Sequence, residues 1–297
     1  MTAIRHLLAA TDLSAPARHA AQRAALLARE RGATLELLHI ASTAPLDKLR
    51  RLVGELPGGV EDRVLDALRH DVLLLAEELH VRYGVAAGVR IANGAIPQEI
   101  HEAARKTGTD LVVLGARGAS FMRHLLLGST AERMVRKIRH PMLVVKQPPH
   151  DAYRRVLVPV DFSASSLPAL RLARAVAPAA HIVLLHAFDV PFEGKLRLAG
   201  VDDGAIGHYR TAARQDALQK MARLADAAGL APGEATPTVL HGDAWLRILE
   251  QEQEQDCDLI AMGKHGESML EDMLLGSVTR HVLANAQSDI LVSVAGG

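Results

Sequence analysis

Cysteine is nearly absent from this chain, and the single residue, Cys257, excludes an internal disulfide and any paired-cysteine metal or redox motif. A reducing compartment is the expected setting, with Cys257, beside an apolar run, read as inert packing. Aromatic residues make up 3% of the sequence and the formal net charge is zero, so it offers neither base-stacking platforms nor a field for a polyanion. Nucleic acid is therefore not an expected partner. Long hydrophobic runs are also missing. No segment approaches the roughly 18 apolar residues of a membrane span, and the apolar stretch in the opening MTAIRHLLAATD is too short for a secretory signal. The expected location is cytoplasmic, with no membrane partner. Three catalytic signatures are lacking as well: a Gly-x4-Gly-Lys-Ser/Thr P-loop, a Gly-x-Ser-x-Gly nucleophile elbow and a His-x-x-x-His zinc helix.

What the chain does have is a repeat. Its 297 residues suffice for about two domains, and the second half restates the first. Leu7 to Ser14, LLAATDLS, aligns with Val156 to Ser163, VLVPVDFS; each is an apolar strand that ends in Asp before an Ala-rich helix. Second strands, Thr34 to Ile40 and His181 to Ala187, both carry Leu-Leu-His near their ends. Variable stretches follow, Ser42 to Pro57 and Asp189 to Gly207, which match poorly and are the expected places for partner contacts. They lead into long helices near Glu61 to Tyr83 and His208 to Ala228, then into third strands, third helices, the apolar runs Leu111 to Leu114 and Leu259 to Met262, and short fifth strands. Alternation of this kind predicts an α/β fold of two doubly wound domains, each a five-stranded parallel sheet with helices on both faces. The domain boundaries fall at 1–147 and 153–297, around the linker QPPHDAY.

The most informative repeat is a glycine pattern. Gly115, Gly118, Gly128 and Ser129 are spaced Gly-x2-Gly-x9-Gly-Ser, and Gly263, Gly266, Gly276 and Ser277 repeat the spacing. A glycine at the end of a buried strand can simply permit a turn; two copies in register suggest instead a backbone that approaches a phosphate. The Gly-Ser pair then opens a helix whose free amides and positive dipole end favour an anion. Ser129-x-x-Glu132 also fits a capping box, but Ser277-x-x-Arg280 does not, which weights the phosphate reading. If the first and fourth strands are neighbours, Asp12 with Gly115, and Asp161 with Gly263, face crevices at the strand ends. Each aspartate could accept from a ribose hydroxyl or adenine amino group, or could cap the first helix. Most strand histidines, such as His39 and His186, read as satisfied core or cleft residues, and a zinc site among the 15 histidines stays open.

These residues resemble the universal stress protein family in tandem form, with copies at about Met1 to Lys146 and Tyr153 to Val294. The resemblance implies strand order 3-2-1-4-5 in each domain and an adenine nucleotide, ATP, as ligand. It places adenosine contacts on Asp12 and Ile40 in the first copy and Asp161 and Ala187 in the second. Phosphate contacts would fall on the glycines and serines, with Arg117 and His265 inside the loops and Thr130, Val278 and Thr279 beyond them. Magnesium is expected with the phosphates. The copies differ. Ala10 stands where Pro159 does, Ala131 where Thr279 does, and Ser288-Asp289 where the first copy has Pro141. The hydroxyl of Thr279 makes the second site the expected stronger one. Two functions remain open: a nucleotide-binding stress-response protein whose occupancy regulates conformation or partner binding, or a slow ATPase or ATP-using transferase. The first leads, because neither motif carries an evident general base. A protein partner is unidentified, and the chain is expected as a monomer with pseudo-dimeric domains or as a homodimer.

Overall fold

The computed structural model describes residues 3–41, 59–117, 129–137, 139–190, 195, 198–264 and 275–294. The chain divides into two compact units, Thr2–Ala152 and Tyr153–Gly297. The first runs β1 (His6–Thr11), α1 (Ala15–Arg31), β2 (Thr34–Ala41), α2 (Val60–Tyr83), β3 (Ala87–Asn93), α3 (Ile96–Thr107), β4 (Leu111–Gly115), α4 (Ser129–Lys137) and β5 (Met142–Val145). Its strands are all parallel in the order β3-β2-β1-β4-β5. The second repeats the plan with β6 (Arg155–Pro159), α5 (Ser166–Val176), β7 (His181–Phe188), α6 (Asp203–Ala228), β8 (Ala235–His241), α7 (Ala244–Glu254), β9 (Leu259–Gly263), α8 (Ser277–Asn285) and β10 (Asp289–Ser293). Its order is β8-β7-β6-β9-β10, again parallel.

This order has a mechanical consequence. From β1 the chain steps outward through β2 to β3, then crosses back to β4 and β5. With right-handed crossovers, the reversal puts α1 and α2 on one face and α3 and α4 on the other. Both faces of the central strands are therefore covered, which is why LVVLG and LIAMG are continuously apolar rather than alternating. Leu8, Leu37, Leu38, Leu111 and Leu143 are wholly buried, each worth about 1.5–3 kcal/mol of transfer free energy. Helix α1 meets the sheet through a run of alanines, Ala17, Ala20, Ala21, Ala24, Ala25 and Ala28, which bring its axis close.

Helix ends follow local chemistry. Ser14 caps α1, accepting from the Ala17 amide at 3.4 Å, and Gly32 ends it in the left-handed conformation at φ 64°. Helix α6 begins at Asp203, earlier than the expected His208. Asp202 accounts for the difference, since its carboxylate accepts from the Ala205 amide at 2.9 Å. A cap there outweighs Gly204 and Gly207, which read as breakers in the sequence. The matching strand ends differ slightly. Strand β1 pairs with β2 as far as Thr11, whereas β6 pairs with β7 as far as Pro159, beyond which the Val160 amide still donates to the Leu185 carbonyl at 2.8 Å.

The Ser288-Asp289 pair that enters β10 is built into the core. Glu252, 4% exposed, accepts from the Gln287 amide at 2.8 Å, the Ser288 amide at 2.5 Å and the Ser288 hydroxyl at 2.6 Å. Asp289 accepts from the Tyr153 hydroxyl at 2.6 Å. These polar groups are buried with partners, so the departure from proline leaves no unpaired polar group among the described residues at the entry to β10.

Candidate functional site

The reversal of strand order places a crevice beyond the carboxyl ends of β1 and β4, which pair in parallel with Ala9 opposite Val113. Strand β4 ends there at Gly115, which is not in the left-handed region. Its need for glycine is steric. A Cβ on Gly115 would lie 2.9 Å from the Pro16 carbonyl oxygen, 3.0 Å from its carbon and 3.1 Å from the Arg117 oxygen. The end of β4 thus lies directly against the first turn of α1. That contact brings the Asp12 turn and the glycine motif to one place.

The aspartates shape the turn instead of capping the helix. Asp12 Oδ1 accepts from the Ser14 amide at 3.1 Å and the Ser14 hydroxyl at 2.5 Å, while Ser14 is the cap. Asp161 Oδ1 accepts from the Ser163 amide at 3.0 Å and the Ser166 hydroxyl at 3.1 Å, and Ser165 holds the cap position of α5. Both carboxylates are exposed. Between each aspartate and its serine sits a bulky residue in the left-handed region, Leu13 and Phe162, each at φ 63°. With Asp256 these are the positive-φ residues other than glycine among the described residues, and large side chains avoid that region.

Two further residues converge on this turn. His39 Nδ1 is 2.9 Å from the Thr11 carbonyl, and His186 Nδ1 is 2.8 Å from the Val160 carbonyl. Both histidines are satisfied, as the sequence suggested, but their acceptor is the peptide next to the aspartate. The repeated Leu-Leu-His was the available signal. His186 also packs on Phe162, with ring centroids 4.5 Å apart, and Lys220 Nζ lies 5.5 Å from the same ring. Ile40 and Ala187 are half-buried near the ends of β2 and β7, opposite Ala92 and Leu240.

In the second half the start of α8 is fastened to the end of β9. Gly276 is its cap residue, so Ser277 is already the first helical residue and is not an N-cap. Its side chain is exposed at a helix end that carries free amides. The Gly276 amide donates to the Lys264 carbonyl at 3.2 Å, and the Lys264 amide donates to Ser293 at 3.0 Å. Thr279, expected as a phosphate donor, is 4% exposed and its hydroxyl donates to the Gly263 carbonyl at 3.1 Å. It ties helix to strand; Ala131, at the matching position, has no hydroxyl to do so. Val278 is half-buried, and Arg117 is exposed beside Gly115. On the flank, Trp245 of α7 stacks on His281 of α8 with centroids 5.2 Å apart and planes 21° apart. Gly118, Gly128, His265 and Gly266 lie outside the described residues, and Ser129 and Thr130 are described as helical backbone alone.

Perturbed groups lie away from these turns. Burial holds His140 below its ordinary pKa, and neighbouring His101, 5.5 Å away ring to ring, adds to the effect. Burial pushes the Cys257 thiol up to about 12, against the pull of Arg155. No group of three or more His, Cys, Asp or Glu that could hold a metal occurs among the described residues. Nor is any described helix long and apolar enough to cross a membrane.

A family profile described as "Universal stress protein family" matches residues 3–146 and 152–293. The chain belongs to the universal stress protein family. Both halves are universal stress protein domains in tandem. The chain is similar over nearly its full length to a universal stress protein of Mycolicibacterium smegmatis, 23% identical with 96% of each chain covered. One half is 32% identical to the Methanocaldococcus jannaschii universal stress protein MJ0531, covering 46% of this chain and 79% of that one. A solved universal stress protein from Archaeoglobus fulgidus shares the fold with a TM-score of 0.69 at 20% identity, covering 98% of each chain.

Proposed function

We propose that this tandem universal stress protein binds an adenine nucleotide, ATP with magnesium, at the carboxyl end of each sheet, and that occupancy regulates conformation or partner binding in a stress response. The observation that carries the reading is the packing of Gly115 against Pro16, because it joins the glycine motif to the aspartate turn at the strand-order reversal, where doubly wound sheets take ligands. In this reading Asp12 and Asp161 accept from ribose or adenine groups, Ile40 and Ala187 flank the base, and the glycine-motif backbone holds the phosphates. Ser129 and Ser277 then stand at the positive ends of α4 and α8, where an anion is favoured. Gly118, Gly128, Thr130, Gly263, His265, Gly266, Gly276 and Val278 belong to the same proposed phosphate segment, and Arg117 supplies a cation to the first. Bound magnesium would neutralise phosphate charge and draw its remaining ligands from water.

The residues fit an anion better than a reaction. Ser277 is exposed at a helix N-terminus, and Thr279, buried against Gly263, supports that end. Mass spectrometry of the small molecule that copurifies, followed by calorimetric titration of ATP with magnesium, tests the proposal. An adenine nucleotide in the purified protein and saturable binding are expected, with turnover far below the about 1 per second of even slow dedicated enzymes. No measurable affinity for any adenine nucleotide would refute the binding reading. Turnover at ordinary enzymatic rates, lost in Ser277→Ala, would favour an ATPase or transferase instead.

A further inference from the structure

We infer that His39 and His186 are positioning residues for the aspartates of the proposed nucleotide sites, each acting through an Nδ1–H hydrogen bond to the peptide carbonyl that precedes the aspartate. The inference rests on the nucleotide reading above. Its basis is the same bond in both halves, at 2.9 Å to Thr11 and 2.8 Å to Val160. The surroundings of the two rings differ. His39 is 8% exposed, whereas His186 is half-buried against the Phe162 ring. A contact preserved while its packing changes is set by the turn it serves.

The chemistry of the bond is unambiguous. A carbonyl oxygen accepts and cannot donate, so Nδ1 must carry the proton, and in the neutral ring Nε2 does not. This fixes the carbonyl on one side of the aspartate. On the other side, Oδ1 of the same aspartate accepts from the serine amide two residues on, at 3.1 Å for Asp12 and 3.0 Å for Asp161. The residue between these bonds, Leu13 or Phe162, is the one held at φ 63°. A conformation that bulky residues avoid persists where its surroundings over-determine it, and here the histidine supplies one of the restraints, beside the aspartate–serine bonds and, in the first half, the Leu13 amide donating to Thr11 Oγ1 at 3.0 Å. Releasing it lets the turn relax and the carboxylate swing from the orientation in which it would meet a ribose or adenine group. The histidines themselves need not touch the ligand.

The two amide side chains separate this role from mere filling of space. In asparagine the side-chain nitrogen occupies the place of Nδ1 and can donate to the same carbonyl. In glutamine it reaches the place of Nε2 and cannot. The doubly substituted His39→Asn/His186→Asn chain should bind ATP with magnesium within about threefold of the wild type. The His39→Gln/His186→Gln chain should bind about tenfold more weakly, a loss in keeping with one hydrogen bond per site. This ordering opposes the one expected from volume, since glutamine fills the space better. Calorimetry showing the glutamine chain as tight as wild type, or the asparagine chain as weak as the glutamine one, would overturn the inference. Wild type that binds no adenine nucleotide would overturn the nucleotide reading and this inference with it. Independently of any variant's folding, long-range proton–nitrogen correlation spectra of the wild type should show both rings protonated at Nδ1, and an Nε2–H tautomer at either ring would refute the bond on which everything here depends.

Discussion

Gly115→Ala is the smallest change that tests whether the glycine motif is seated on the first helix. The added methyl carbon would sit 2.9 Å from the Pro16 oxygen and 3.0 Å from its carbonyl carbon, both backbone atoms that cannot rotate away. Strand β4 is locked on both sides, Ala9 opposite Val113 and Gly115 opposite Val145, so the strain must move the strand end or the start of α1. Overpacking of this kind costs about 1–3 kcal/mol. For a unit of this size that is a fall of roughly 3–10 °C in the melting temperature of the first half. Gly88→Ala is the matched control. A methyl there would meet nothing closer than 3.8 Å, at Glu36 Cγ and the Leu35 oxygen, so the variant should be neutral or gain the about 0.5–1 kcal/mol that glycine forfeits in a strand. Calorimetry would follow both melting and ATP titration. Gly115→Ala should melt earlier and lose the binding equivalent of the first half while the second persists. If it is as stable as Gly88→Ala and binds with unchanged stoichiometry, the close approach does not organise the site.

Other consequences can be checked alongside. Thr279→Val keeps the shape but removes the hydroxyl that donates to Gly263 at 3.1 Å; ATP affinity of the second half should fall about twofold to tenfold, from the usual worth of one hydrogen bond, and an unchanged titration would show that this tie does not set the site. His140, held below its ordinary value of 6.5 by burial and then by His101, binds its proton in the unfolded chain before it does in the folded one. Stability of the first half should therefore fall as pH drops from about 6.5 toward the lower folded pKa, with no contribution above that window. Between pH 7.5 and 5.5 the stability of His140→Gln, measured by urea unfolding, should fall less than that of the wild type; an equal fall in the two would exclude this residue. Cys257, with its thiol at about 12 and 7% exposed, should resist iodoacetamide at pH 8 while folded and react promptly in denaturant, and prompt labelling of the folded chain would contradict the burial.

The fold was legible because its strands are short apolar runs written twice, and because a sheet covered on both faces leaves few other arrangements for them. The start of α6 was not, since Gly204 and Gly207 read locally as breakers while the Asp202 cap lies just outside the periodic segment. The aspartates could not be assigned from sequence because their role depends on φ at the next residue, and neither Leu13 nor Phe162 is a residue type that announces a left-handed turn. His39 and His186 were visible as repeated letters, yet their acceptors lie 28 and 26 residues away, at the end of β1 and just past the end of β6. Thr279 was read for its hydroxyl without the knowledge that Gly263 would take it. The serine of the second motif was better placed: Ser277 inside the first turn of α8 leaves capping to Gly276, as the missing glutamate partner had suggested.

The stack of Trp245 on His281 gives the second half an optical signature of its own. Trp245 is the sole tryptophan in the sequence, and it joins α7 to the helix whose first turn is Ser277. Emission excited at long wavelength therefore originates in one domain alone, beside one candidate phosphate end. Any ligand that shifts α8 against α7 alters the ring's polarity and quenching, while events confined to the first half leave the spectrum untouched. A tandem protein whose two domains would otherwise titrate together thus carries a built-in way to watch one of them.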